Sequence, residues 1–276
     1  MSGLTISVDG RLIDPDQPAI LATDHALLTG DGVFETLRVY HGTPFALTRH
    51  LDRLRSSADG LGLPPPSEDV LREAVAEVVE ASGLTEARLR ITVTGGPAPL
   101  GSDRGAEGST LIVAAGPISD WPPSTRVVVV PWPRNERGAV AGLKTVSYAE
   151  NVVALARAHA QGAGEAIFAN TVGRLCEGTG SNIFVGVDGR LLTPPLSSGC
   201  LGGITRELLV ESGVAVEEDI PLESIHDASE ALLTSSTREV QPISHVDDRQ
   251  LPDCPGPLTE LARARFAEIL ADDLDP

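Results

Sequence analysis

The chain has 276 residues, long enough for one large or two modest domains, and its 41% hydrophobic and 22% charged residues are those of an ordinary soluble globular protein. A formal net charge of -18 repels phosphate backbones and anionic lipid, which argues against nucleic acid and membrane surfaces as partners and leaves small ligands open. The opening stretch MSGLTISVDGRLIDPD has no basic segment followed by an apolar one, and no apolar run approaches the roughly 18 residues of a membrane span, so a cytoplasmic enzyme is expected. Cys176, Cys200 and Cys254 form no CxxC pair, which offers neither a disulfide framework nor a metal site, and no metal is expected.

In chain order, Leu4 to Val8 is expected as a strand turning at Asp9 and Gly10, and Gly32 to Tyr40 as a second strand. Leu47, Leu51, Leu54 and Ala58 recur at helical spacing, as do Val70, Leu71, Ala74, Val75 and Val78, the second series stopping at Gly83. Arg88 to Thr94 alternates and ends in a turn at Gly95, Gly96 and Pro97, completing an α+β half. GPISDWPPST, 116 to 125, is the linker candidate, giving an N-terminal α+β domain over 1–117, a linker over 118–124 and a C-terminal domain over 125–276. Beyond it, TRVVVVPW predicts a buried strand and Asn151 to Gly162 an amphipathic helix. Short strands follow around 166–169, 182–187 and 191–193, then a helix opened by GITRELLVESG and a last helix over about 258–271. The frequent short strands of this half predict a mixed or barrel-like sheet.

Lys144, in GLKTVSYAEN, is the only lysine in the chain; the other 20 of its 21 basic residues are arginines. A coding bias that writes arginine wherever either cation serves would leave a lysine where arginine fails. An ammonium can give up its proton and become a nucleophile, which a guanidinium cannot. A surviving surface lysine is the plain alternative. No GK[ST] phosphate loop, full dinucleotide fingerprint, HExxH or GxSxG occurs. What remains is Lys144 ahead of a helix, Glu177 in the glycine-rich loop CEGTGSNIF, and the glycine-opened helix LGGITR; singly, the last two read as a solvated loop acid and a tight turn before a helix.

Their order changes that. Glu177, then Asn182, Ile183 and Phe184, then Leu191 with Thr193, then Leu201, Gly203, Ile204 and Arg206 form one extended pattern. It resembles the signature of the class IV, or fold type IV, pyridoxal-phosphate enzymes: branched-chain and D-amino-acid aminotransferases, (R)-amine transaminases and aminodeoxychorismate lyase. DHALLTGDGVFETLRVYHGTPFALTRHLDRL at 24–54, GLK at 142–144 and LLTSSTREVQPI at 232–243 carry the same resemblance over nearly the whole chain. It implies a two-domain fold, a smaller N-terminal α+β domain and a larger C-terminal pseudo-barrel that binds pyridoxal 5'-phosphate.

The chemistry accounts for the residue types. An aldehyde cofactor held covalently needs a primary amine, which is Lys144, and the released amine is the natural base for moving a proton at the substrate Cα. By resemblance Glu177 faces the pyridine nitrogen and raises its pKa. Arg53 matches the phosphate-binding arginine, the backbone N–H groups of Ile204 and Thr205 lie at a helix N-terminus suited to an anion, Ser236 matches a hydroxyl that reaches the phosphate, and Leu201 matches the apolar residue packed on the ring. Ser235 and Thr237 face cofactor or substrate. Tyr148 reaches the cofactor's hydroxyl or is a core aromatic.

On the strand 33–38, alternation puts Phe34, Thr36 and Arg38 on one face. If that face lines the pocket, Arg38 holds a substrate carboxylate and Thr36 matches a threonine of the lyase group; the alternative is that Arg38 pairs with a surface acid. The loop GGPAPLGSDRG lacks the Arg-x-His pair of the best-known D-amino-acid enzymes, and Arg104 is the substitute it offers. In the family this loop reaches the neighbouring subunit, which implies a homodimer. The expected activity is transfer of an amino group between a small amino acid or amine, D-amino acid or (R)-amine favoured, and a 2-oxo acid. The alternatives are aminodeoxychorismate lyase, releasing pyruvate and 4-aminobenzoate, and a non-catalytic binding protein of the same fold.

Overall fold

The computed structural model describes residues 3–276, and the chain falls into two compact units. Unit 1 comprises the N-terminal residues through Ser119, the segment Leu143–Tyr148 and the tail Leu274–Pro276; unit 2 comprises Asp120–Gly142 and Ala149–Asp273. Lys144 and Tyr148, which follow the linker in sequence, are thus part of unit 1.

Unit 1 is built on a six-stranded antiparallel sheet. Its strands are β1 (Thr5–Val8), β2 (Arg11–Ile13), β3 (Gly32–Tyr40), β4 (Thr43–Pro44), β5 (Ala87–Thr94) and β6 (Thr110–Gly116), in the spatial order β2-β1-β6-β5-β3-β4. The Asp9–Gly10 turn has both residues at positive φ, 48° and 72°, the geometry that closes a two-residue hairpin between Val8 and Arg11. Three helices complete the unit: α1 (His25–Thr29), α2 (Leu47–Leu61) and α3 (Glu68–Ser82). Val33, Leu37 and Val39 of β3, Leu89, Ile91 and Val93 of β5, and Val113 of β6 turn towards Leu51, Leu54 and Ala58 of α2 and Leu71, Ala74, Val75 and Val78 of α3, forming one core. α3 begins at the Ser67 cap and ends at Gly83, φ 62°, where the periodicity predicts its end. Val70, counted in its apolar series, is 47% exposed.

α2 starts differently. Its N-cap Ala46 sits at φ 52° with no side-chain cap, and the tail replaces one: Ala46 N–H donates to Leu274 O, while Thr48 N–H and Oγ1 donate to the Asp275 carboxylate at 2.8 and 2.6 Å.

Unit 2 carries a nine-stranded mixed sheet: β7 (Thr125–Val129), β8 (Glu165–Ala169), β9 (Leu175–Gly178), β10 (Asn182–Val187), β11 (Arg190–Thr193), β12 (Val216–Glu217), β13 (Ala231–Ser235), β14 (Glu239–Val246) and β15 (Arg249–Gln250). The order is β12-β11-β10-β13-β14-β7-β8-β9, with β15 on β14. The β14–β7, β7–β8 and β11–β12 pairs are parallel. Helices α4 (Ala149–Ala160), α5 (Ile204–Glu211), α6 (Ser224–Asp227) and α7 (Pro257–Asp272) surround it. One core gathers Val127, Ile167, Ile183, Val185, Leu233 and Ile243; a second places Ala154 and Ala158 of α4 over Val128, Ala166, Phe168 and Cys176.

Candidate active site

Lys144 rests on a short extended segment hydrogen-bonded to unit 1 from two sides. Phe34 N–H donates to Lys144 O at 3.0 Å and Val146 N–H to Gly32 O at 2.9 Å, so Thr145 bridges Val33 in the antiparallel sense. From α2, Ser57 Oγ accepts the Lys144 N–H at 3.1 Å. This fixes the backbone and leaves the amine beside the Phe34 face of β3. Nζ stands 4.3 Å from the centre of the Phe34 ring and 5.9 Å from that of Tyr148, and the two rings meet edge to face at 5.2 Å.

The same sheet face carries the strand pairs Phe34–Thr92, Thr36–Arg90 and Arg38–Arg88. The expected facing of Phe34, Thr36 and Arg38 therefore holds, and it includes a residue that alternation within one strand could not supply. Arg90 lies over the Phe34 ring at 3.8 Å and donates to Thr92 Oγ1 at 3.2 Å; among the described residues no carboxylate pairs with it. Arg90 keeps solvent-exposed surface while neighbouring protein crowds it enough for desolvation to lower its pKa from the ordinary arginine value. Arg38 is placed otherwise than expected for a substrate contact: Nη2 is 3.4 Å from Glu86 Oε2 and the guanidinium lies over Tyr40, the acid pairing left open as its alternative. Arg104 also departs from its expected role. Its Nε and Nη2 bind both oxygens of Asp31 at 2.7 and 2.6 Å, and its other contacts are the carbonyls of Gly62 and Leu61.

On the helix side of β3, Glu35 is fully buried and organises Arg53. Arg53 donates from Nε and Nη2 to the two Glu35 oxygens at 2.8 and 2.6 Å, and His50 Nδ1 lies 2.7 Å from Glu35 Oε2. Burial alone would push the Glu35 carboxyl up; the Arg53 charge and the hydrogen bonds from Arg53 and His50 outweigh it and hold it at about 2. His50, equally buried, is lowered by desolvation against the opposing pull of Glu35. Nothing in the local sequence marked Glu35 as Arg53's partner, since the pairing joins a strand to a helix.

In unit 2, Glu177 lies on the strand β9, opposite Phe168 of β8, and not in the loop expected from its glycines. One oxygen accepts the Leu201 N–H at 2.9 Å and the other is 3.1 Å from Arg134 Nε, whose guanidinium lies 4.2 Å from the Phe168 ring centre and donates to Asn151 Oδ1 at 3.1 Å. Both side chains are largely buried, so the carboxylate is anchored in place. Asn182 donates to Leu201 O at 2.8 Å, and a Cβ on Gly203 would collide with Asn182 Oδ1, so only glycine lets the chain pass there into α5. Gly203 provides no side-chain cap, and the first turn of α5, with Ile204 and Thr205 buried, presents main-chain donors. Ser235 ends β13, and Ser236 and Thr237 begin the turn to β14; Ser235 Oγ accepts the Arg238 N–H at 3.2 Å, and Arg238 pairs with buried Glu165 at 2.9 Å.

Unit 1 thus brings together Phe34, Thr36, Lys144 and Tyr148, with Arg53 fixed through Glu35 on the other side of β3. Unit 2 brings together Glu177 and Leu201, links Gly203 to them through Asn182, and holds Ser235 against Arg238. Each unit by itself offers groups suited to an anionic aldehyde cofactor: unit 1 an amine, unit 2 a fixed carboxylate and a helix N-terminus whose glycine cap carries no side chain. Among the described residues no cluster of His, Cys, Asp and Glu could hold a metal ion, and no helix is long and apolar enough to cross a membrane.

Comparison with known proteins agrees with this chemistry. The family model for amino-transferase class IV matches residues 32–246. The chain is 31% identical to the bifunctional aminodeoxychorismate lyase / D-amino acid transaminase of Mycobacterium tuberculosis, covering 99% of this chain and 98% of that protein. Among solved structures, the branched-chain aminotransferase of Thermoproteus uzoniensis with norvaline is 30% identical, with a TM-score of 0.87 over 96% of this chain and 94% of that one. A hypothetical aminotransferase of Mycobacterium tuberculosis in its PLP-bound form is 28% identical, with a TM-score of 0.84 over 98% and 100%. The fold is that of the fold type IV enzymes and the cofactor of the family is pyridoxal phosphate. The chain belongs to the class IV aminotransferases.

Proposed function

We propose that this enzyme is a transaminase moving an amino group between a small amino acid or amine, with D-amino acids or (R)-amines favoured, and a 2-oxo acid. The observation that carries the substrate class is Arg90, a guanidinium without a carboxylate partner among the described residues, stacked on the ring that also underlies the Lys144 amine. A substrate carboxylate supplies the acid it lacks in a chain otherwise rich in acids. The preference for the D or R configuration rests on GDGVFETLRV and RLRITVTGG, whose pattern looks closer to those relatives than to the branched-chain enzymes.

Pyridoxal phosphate, when bound, supplies an aldehyde for covalent capture of the amino group and a ring that takes up the electron pair left at Cα. Lys144 would provide the amine that holds the aldehyde, and as a free amine it would be the base that moves the proton at the substrate Cα. Glu177, its two oxygens directed by the Leu201 N–H and Arg134, keeps a proton on the pyridine nitrogen. Arg53, the first turn of α5 and Ser236 bind the phosphate. Tyr148 and Phe34 shape the apolar wall beside the amine.

The second reading, aminodeoxychorismate lyase, has its own support: Thr36 is the cross-strand partner of Arg90 and shares its face. The test is the visible absorption of the cofactor-loaded protein on adding D-alanine without an oxo acid. Loss of the band, with recovery on adding pyruvate, is the expected result. A band that ignores D-alanine but responds to L-amino acids overturns the configuration, and pyruvate release from aminodeoxychorismate without an amino acceptor replaces the transaminase by the lyase.

A further inference from the structure

Beside the Lys144 segment lies a charge cluster that the chemistry above does not use. His25 of α1 is 3% exposed, and both of its ring nitrogens face acceptors: Nδ1 is 2.7 Å from Asp31 Oδ2, and Nε2 is 2.9 Å from Gly101 O. Two acceptors require two N–H groups, so this geometry is that of an imidazolium. Arg104 binds the other side of Asp31 through Nε and Nη2. The same guanidinium donates to Leu61 O at 2.8 Å and to Gly62 O, the carbonyls at the C-terminus of α2, where a cation is favoured.

Arg104 therefore ties the end of α2 to the Gly30–Gly32 turn. These are the two elements that grip Lys144: α2 through Ser57 Oγ and the turn through Gly32 O, with Gly30 packed so closely on Ser147 that a Cβ would come within 2.7 Å of its hydroxyl. Asp31 itself accepts Gly95 N–H on its carbonyl at 2.9 Å, and its carboxylate fills the space where a Gly95 side chain would stand.

We infer that His25, Asp31 and Arg104 are positioning residues for Lys144, a latch that closes the 95–104 loop onto the turn and the helix end that grip the lysine-bearing segment while His25 carries its second proton. The role of Lys144 in this statement rests on the proposed function; the latch itself does not. The hydrogen bond to Asp31, then that to Gly101, raises the pKa of His25 against desolvation and, less, the Arg104 charge. The other charged neighbour, Asp24, turns its carboxylate to Ala26 N–H and Thr94 Oγ1. A raised pKa means that the latch is fully formed below the ordinary histidine value of 6.5 and is lost as pH rises through the higher folded value. On deprotonation the remaining proton stays on Nδ1 against Asp31, and Gly101 O loses its donor.

The test is hydrogen exchange on the cofactor-loaded protein, corrected for intrinsic rates, between pH 6 and pH 9.5, reading peptides over 96–104 and 143–148. In the wild type both peptides exchange faster above the His25 pKa. Arg104→Gln, at a half-exposed side chain and so the safest for folding, speeds both at every pH and lowers kcat about 10-fold with a smaller change in KM, the signature of a displaced group. His25→Arg, a permanent cation, keeps exchange slow at alkaline pH. Faster exchange in the loop alone, with 143–148 and kcat unchanged in Arg104→Gln, overturns the positioning role. Exchange in the wild type that ignores pH overturns the protonation requirement. Neither result depends on which amino donor the enzyme accepts.

Discussion

Around Lys144 the ionisable groups are held by other side chains: Arg53 by Glu35, Glu35 by His50, Arg104 by Asp31, and Arg90 by a ring and a hydroxyl. Around Glu177 the main chain contributes more. A backbone N–H fixes the carboxylate, a glycine with no room for a side chain leads into α5, and the first turn of that helix presents main-chain N–H groups. Side-chain networks in a buried setting are worth much when complete and leave an uncompensated charge when one member is removed. Main-chain donors survive most substitutions. The two regions should therefore fail in different ways, the first by losing stability together with activity, the second by losing activity with a smaller loss of stability.

The largest effect sets the reference for both. Lys144→Ala removes the amine and leaves the Arg53–Glu35 and Glu177–Arg134 pairs in place, so the rate falls at least about 10⁴-fold while the melting temperature stays near the wild type; residual activity within 100-fold of wild type would remove the lysine from the chemistry. Glu35→Gln breaks the unit 1 network at its centre and costs about 3 to 5 kcal/mol in denaturant unfolding. The same carboxylate gives a pH signature. Its folded pKa of about 2 lies below the ordinary 4.5, so its contribution is complete above that value and drains away as pH falls towards 2, a loss absent from Glu35→Gln.

Glu177→Gln is the counterpart in unit 2. It lowers kcat about 10²-fold and costs less unfolding free energy than Glu35→Gln, because Arg134 keeps Glu150 and Asn151 as partners; a loss as large as that of Glu35→Gln would erase the contrast between the regions. Arg90→Gln, which breaks no ion pair, raises KM for an oxo acid about 10- to 100-fold and leaves KM for an amine without a carboxylate unchanged, as measured in steady-state kinetics. Ser57→Ala removes one hydrogen bond to the lysine segment and costs about 1 kcal/mol by thermal unfolding.

Much of this was legible in the sequence, and the parts that were not share a cause. The strand 32–40, its facing of Phe34, Thr36 and Arg38, and the stop of α3 at Gly83 follow from local periodicity and local backbone demand. Glu177 was expected in a loop because LCEG has little strand propensity of its own; pairing with β8 makes it a strand, and that partner precedes it by several residues of turn. Arg90, Asp31 and Glu35 became partners of predicted residues only through contacts between separate elements, which single-strand alternation does not encode. Arg38 and Arg104 were read as ligand contacts because a lone arginine in an acidic chain looks unclaimed until Glu86 and Asp31 are placed beside it. The chemistry was more visible than the geometry, since an amine, a carboxylate and glycines in one order constrain residue type directly.

The excursion of residues 143–148 into unit 1 has a consequence for how the chain is made. A ribosome that has delivered Ser119 has not yet delivered the segment that pairs with Gly32 and Phe34, and the nearly 30 residues to Tyr148 take roughly 1 to 6 s at typical rates of synthesis. During that interval the edge that will receive Lys144 stands open, and the helix holding Arg53 still lacks the Asp275 that will cap it. Unit 1 is made of three stretches far apart in sequence, so the first waits for the other two to finish it, and Lys144 arrives before the last cap is in place.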